Sequence, residues 1–179
     1  LPIQYADYAL WQRQWLQGDV LREMLDYWRG RVGVDPPDLA VPADRPRPAV
    51  RTYDGDRAAA VLPPDLAQAL ARLATARRGT LFMVLLAAFQ ALMHRYTGQE
   101  DVVVGSPIAN RNHVEIEGLI GFFVNMLVMR GRLSAETPFS QFFSGIREDC
   151  LDAYSCQDLP FERLVQELAP GRDLSQNPL

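Results

Sequence analysis

Two hydrophobic periods alternate along this chain. Tyr8, Trp11 and Trp15 recur at three- and four-residue spacing between Tyr5 and Leu16, which predicts a helix with an aromatic face. Gly18 breaks that helix and Asp19 is placed to cap the next. The second helix is expected to reach about Arg31, with Leu21, Met24, Leu25 and Trp28 on one side. Residues 34–57 change character: Pro36, Pro37, Pro42, Pro46 and Pro48 alternate with Arg45, Arg47 and Arg51. Proline removes backbone donors and favours extended geometry, so this segment reads as a connector between two bodies. Ala58 to Leu62 is expected to form a short strand, and Pro63-Pro64-Asp65 opens a helix striped by Leu66, Leu70, Leu73 and Arg77.

Gly79 ends that helix and Thr80 caps a far more apolar one. Leu81, Leu85, Ala88, Leu92 and Tyr96 form one row, and Phe82, Leu86, Phe89 and Met93 the next. An apolar arc that wide predicts a helix enclosed by other elements, closed after Arg95 by Gly98. Asp101 to Gly105 reads as a strand covered on both faces. Ser106 to Gly118 is polar and irregular, and Ile120 to Arg130 is almost wholly apolar, as a buried strand would be. Thr137 is placed to cap, and Pro138 to begin, a helix with Phe139, Phe142, Phe143, Ile146, Cys150 and Tyr154 inward. Gln157 to Glu162 leads into a last helix bearing Phe161, Leu164, Val165 and Leu168, stopped by Pro170-Gly171. The fold class is therefore α/β, with a mixed sheet and interleaved helices.

Asn125 interrupts the apolar run from Ile120 to Arg130. Leaving a buried amide unpaired costs roughly 1–3 kcal/mol. Asn125 must either tie two elements together or face a polar cavity.

A chain of 179 residues with 48% hydrophobic and 22% charged positions is long and apolar enough for one ordinary core. The net charge of −4 argues against a nucleic-acid surface. The longest apolar run, Leu81 to Phe89, falls well short of the ~20 residues of a membrane span, and no basic stretch precedes an apolar core as in a secretory leader. A cytoplasmic protein with two reduced thiols, Cys150 and Cys156, is expected. His94 and His113 are the only histidines and lie apart, too few for a metal site. His94 reads as structural near a helix end, Ser106 as a turn residue, and Glu115 and Glu117 as a solvated edge. No phosphate-binding glycine loop or nucleophile elbow occurs, so spacing alone offers no catalytic constellation.

Four separated stretches together resemble the condensation domain of nonribosomal peptide synthetases. Tyr5-Ala6-Asp7-Tyr8-Ala9-Leu10-Trp11-Gln12 is similar to the family's aromatic helix motif. Ile120-Gly121-Phe122-Phe123-Val124-Asn125 resembles its Gly-x-Phe-Val-Asn motif. Gln157-Asp158-Leu159-Pro160-Phe161-Glu162 resembles Gln-Asp-x-Pro-Phe-Glu, and Arg172-Asp173-Leu174-Ser175-Gln176-Asn177-Pro178-Leu179 resembles Arg-Asp-x-Ser-x-Asn-Pro-Leu. Cys156 departs from the His or Asn usual before the Gln-Asp pair.

The resemblance implies two lobes like chloramphenicol acetyltransferase, with a tunnel between them. It implies amide formation between thioesters carried on phosphopantetheine arms, with no cofactor bound directly. Donor and acceptor carrier domains, an adenylation domain and an N-terminal lobe would be the partners. The His-His-x-x-x-Asp-Gly catalytic motif does not occur in these residues, so no catalytic residue is assigned here and the isolated chain is expected to be inactive. Residues 1–33 would then be the helical end of the first lobe, 34–57 the connector, and 58–179 most of the second lobe, incomplete at its sheet. Asn125, Gly121 and Phe123 would line the tunnel, and Asn125→Ala would lower turnover more than stability. Trp11, Asp158, Arg172 and Asp173 would be structural. Rival readings are a carrier-docking fragment that uses Ser106 to Gly118, an epimerisation or cyclisation sibling, or an acyltransferase of free small molecules.

Overall fold

A computed structural model describes residues 2–33, 38–45 and 55–168. Arg172 and Asp173, and the connector residues Pro36, Pro37, Arg47 and Arg51 among others, lie outside the described residues. The elements are α1 (Tyr5–Trp15), α2 (Gly18–Val32), α3 (Pro64–Ala76), α4 (Leu81–Thr97), β1 (Asp101–Ile108), α5 (Val114–Glu117), β2 (Asn125–Arg132), α6 (Phe139–Ser155) and α7 (Phe161–Leu168). β1 and β2 pair antiparallel, from Asp101 opposite Arg132 to Ile108 opposite Asn125. Helix α4 lies along β1, α6 along β2 and against α4, and α3 on α4, while α2 and α7 close over β2. One core joins Leu25, Trp28 and Val32 of α2 to Val84, Leu127, Phe143, Ile146 and Leu164. A smaller one gathers Tyr8, Ile116, Leu119 and Phe123.

Several local signals act as the sequence indicates. Pro64 occupies the first turn of α3. The Thr80 side chain accepts the Met83 backbone N–H at 3.3 Å. Gly98 closes α4 in the left-handed conformation, φ 71°. A methyl group at Gly79 would sit 2.6 Å from the Phe143 ring, so that glycine is required by the close approach of α6.

Other expectations are corrected. Asp19 does not cap α2; Gln17 occupies that position, and Asp19 in the first turn pairs with Arg22 at 2.5 Å. Thr137 caps no helix either: Pro138 precedes α6, and the Thr137 hydroxyl accepts the Ser134 N–H. Ala58 to Leu62 is not a strand. Neither β1 nor β2 pairs with it, and Val61 is 95% exposed. β1 runs on to Ile108, so Ser106 is a strand residue opposite Leu127 and not part of a turn. β1 is fully covered on one face only, at Val102 and Ser106; on the other, Val103 is half-buried against the core and Gly105 is exposed. The run Ile120 to Arg130 is half strand: β2 starts at Asn125, and Ile120 before it is 95% exposed.

Helix α4 is not enclosed. Its inner row is Met83, Val84, Leu86, Ala87 and Gln90, small enough at Ala87 to seat the helix close on the sheet. The outer row of Leu81, Phe82, Leu85, Phe89, Leu92 and Tyr96 is 40–63% exposed. Composition alone does not distinguish the two rows, since both are apolar. The buried side is marked instead by Gln90, fully buried, whose amide donates to the Val102 and Met129 carbonyls at 3.3 and 3.1 Å. It lies over Gly131, where a methyl group would come within 2.8 Å of the amide carbon.

Helix α2 is fastened by crossed arginines. Arg130 donates to both oxygens of Asp101, at 2.8 and 2.5 Å, and also to the Val32 and Arg31 carbonyls at the end of α2. Arg31 donates in return to the Arg130 carbonyl and pairs with Asp149. Arg130 holds the Asp101 carboxyl below its ordinary range. Asp149 is shifted upward, because burial outweighs the attraction of Arg31.

Candidate functional site

Three of the four motif stretches converge at the start of β2. A left-handed Asn110 (φ 51°) turns the chain out of β1, a conformation that asparagine tolerates. The loop that follows is folded back by Arg111. Its guanidinium donates to the Ile116 and Glu117 carbonyls and lies 4.2 Å from the centre of the Phe123 ring. Asn112 bridges the Asn110 side chain at 3.2 Å and Asp158 at 3.0 Å, joining this loop to the turn between α6 and α7.

Asn125 settles the question its sequence context poses: it ties elements together. Its Nδ2 donates to the carbonyls of Gln157 and Leu159, both at 2.8 Å, and its Oδ1 accepts the Phe161 N–H at 2.9 Å. Both amide hydrogens are used, and the side chain is 7% exposed. The Gln-Asp-Leu-Pro-Phe turn is therefore shaped around one amide. Cys156 contributes through its backbone, where its carbonyl accepts the Trp28 indole N–H at 3.0 Å. That bond is independent of the side chain, so the thiol in place of His or Asn leaves it intact.

Phe123 is buried in the smaller core, edge-on to Tyr5 at 5.2 Å and tilted on Tyr8 at 5.0 Å. Gly121 lies under Tyr5, where any Cβ would collide with the ring, and the Tyr5 hydroxyl donates to the Phe122 carbonyl at 3.0 Å. Together with Val124, Asn125 and Pro160, the rings of Tyr5, Tyr8 and Phe123 line a cleft of about 150 Å³. Burial pushes the Tyr8 hydroxyl pKa up, with a smaller push from Asp158. Trp11 stacks on Trp15 at 5.4 Å and meets the His113 ring edge-on at 5.4 Å. His94 stands apart at the end of α4, its Nδ1 against the Gln99 carbonyl at 2.8 Å. Sequence reasoning missed Arg111 and Asn112; the polar loop between two motifs was their only signal.

Among the described residues, no group of three or more His, Cys, Asp or Glu side chains is gathered as metal ligands would be. The site offers aromatic surface, amides and one guanidinium, arranged to hold backbone in place.

The fold and this knot of motifs define a scaffold shared by a large class of biosynthetic proteins. The whole chain, residues 1–179, matches the condensation-domain family model, and the protein belongs to that family. It is 55% identical across its full length to a linear gramicidin synthase of Brevibacillus parabrevis, covering 2% of that protein. It is 48% identical, again across its full length, to phosphinothricin tripeptide synthetase PhsC of Streptomyces viridochromogenes, covering 16% of it. The X-domain from teicoplanin biosynthesis superposes with a TM-score of 0.90 at 26% identity, over 98% of this chain and 40% of the X-domain chain. A four-domain nonribosomal peptide synthetase, holo-AB3403 bound to AMP and glycine, gives 0.87 at 28% identity, over 93% of this chain and 13% of its own. The architecture is the chloramphenicol-acetyltransferase-like lobe, and the chain spans a small part of the relatives it matches.

Proposed function

We propose that this chain is part of a condensation domain that joins aminoacyl or peptidyl groups held as thioesters on the phosphopantetheine arms of carrier domains. The acceptor amine attacks the donor carbonyl, a C–N bond replaces the C–S bond, and the carrier thiol is released with the amine proton. The observation that carries this reading is the convergence of the aromatic helix, the Gly-Phe-Phe-Val-Asn stretch and the Gln-Asp-Leu-Pro-Phe-Glu turn on Asn125. Full-length similarity to peptide synthetases supports it.

In this reading the cleft lined by Phe123 and Asn125, with Gly121 beside it under Tyr5, is a stretch of the substrate tunnel wall. Asn125 acts by fixing the backbone there; an amide has no usable proton equilibrium for acid–base work. Residues 1–33 are the helical end of a first lobe, docked through Arg31, Val32 and Arg130. Residues 34–57 are the connector and 58–179 belong to the second lobe. The proton-transferring histidine comes from a His-His-x-x-x-Asp-Gly segment of the parent polypeptide, which also supplies the carrier and adenylation domains, in the cytoplasm. Among the described residues no single helix is long and apolar enough to cross a membrane.

The test is product formation from aminoacyl-loaded carriers. A polypeptide that includes the histidine motif is expected to form the amide, and residues 1–179 alone to form none. Robust product from residues 1–179 refutes the assignment. In the active polypeptide, Asn125→Ala is expected to lower turnover by more than the loss of folded protein explains.

A further inference from the structure

A cavity of about 460 Å³ lies between α1 and α5, within the range of roughly 300–1,000 Å³ that small-molecule sites occupy. Its floor is Tyr8 and Ile116, both buried, with Ile3 beside them. One wall is Trp11, 41% exposed although Trp15 stacks on it and the His113 ring meets it edge-on. The rim carries the carboxylates of Asp7 and Glu115 and the ring of His113, and no arginine is among the described residues that line it. Asp7 accepts the Gln4 backbone N–H at 2.8 Å. Arg111, on the same loop as His113, is committed to two carbonyls and the Phe123 ring.

We propose that this cavity binds an organic ammonium ion: a protonated amine on an apolar body, the body over Tyr8 and Ile116 and the cation between Trp11 and the two carboxylates. An indole attracts a cation placed over it, the carboxylates reject anions, and the apolar floor takes up the hydrocarbon. A bare metal ion would leave that floor unused. The inference stands independently of the condensation reading.

The probe is cyclohexylmethylammonium chloride titrated into the 179-residue protein and followed by tryptophan fluorescence, with cyclohexylmethanol as the neutral isostere. Saturable binding is expected, about tenfold tighter for the ammonium than for the alcohol. Glu115→Gln, an exposed change checked for fold by far-UV circular dichroism, is expected to weaken the ammonium about three- to tenfold and leave the alcohol unchanged. Glu115→Lys is expected to weaken it further still. Trp11→Leu, read through Trp15, is expected to weaken both compounds. Equal affinity for the two compounds overturns the proposal, as does an ammonium affinity untouched by either Glu115 variant or no saturation up to about 20 mM.

Discussion

Replacing Asn125 with alanine removes three hydrogen bonds at once. The Gln157 and Leu159 carbonyls lose their donor and the Phe161 N–H loses its acceptor. A buried hydrogen bond contributes about 1 kcal/mol net, and an orphaned buried group costs about 1–3 kcal/mol. The Leu159 bond is fully buried, while the other two are partly reached by solvent. Water therefore relieves some of the loss, and the expected destabilisation is about 3 kcal/mol. Urea unfolding followed by far-UV circular dichroism measures it, with the m-value as the check that the folded state is otherwise unchanged. Asn125→Asp sharpens the test. It keeps an acceptor for Phe161 but turns carboxylate oxygens toward two carbonyls. Near pH 7 it should be at least as damaging as alanine, and it should recover in part as the pH is lowered, because burial against two carbonyls raises the pKa of the new carboxyl, which donates one bond once protonated. A loss below about 1 kcal/mol for alanine, or an aspartate variant as stable as the parent at neutral pH, would show that the turn holds itself without the amide.

Gly131→Ala should destabilise by about 1–3 kcal/mol by thermal unfolding, since the new methyl group displaces the buried Gln90 amide; after Gln90→Ala its cost should shrink sharply. The depressed Asp101 carboxyl contributes stability that is present above its unfolded pKa near 3.8 and lost as pH falls through the lower folded value. A urea series from pH 6 downward should show that acid-side loss, and Asp101→Asn should flatten it. Cys150 is buried and its thiol is pushed up to about 11 by burial, so alkylation near pH 8 followed by mass spectrometry should label the partly exposed Cys156 and spare Cys150.

Local chemistry was the legible part of this sequence. Thr80, Gly98 and Pro64 act through their own backbone neighbourhoods, so the residues alone announce them. Asn125 was legible as an anomaly, and its partners lie in a separate motif 32 to 36 residues away. What the sequence hid was decided by partners. Whether Ala58 to Leu62 pairs as a strand depends on a neighbour, and none of the described strands supplies one. Which row of α4 faces inward depends on the shape of the sheet beneath it, and apolar residues fill both rows. Ile120 and Phe122 belong to an apolar run yet lie in solvent, because the chain there is still bending toward the knot that Asn125 closes.

The crossed arginines have a mechanical meaning. Arg130 belongs to β2, holds Asp101 of the neighbouring strand, and grips the last carbonyls of α2 with the same flat guanidinium. The two strands cannot slide past one another without dragging the end of α2, and a pull on α2 is delivered to the strand ladder as shear across all the positions paired from Asp101 to Ile108. One guanidinium thus couples the end of α2 to the pairing of the two strands.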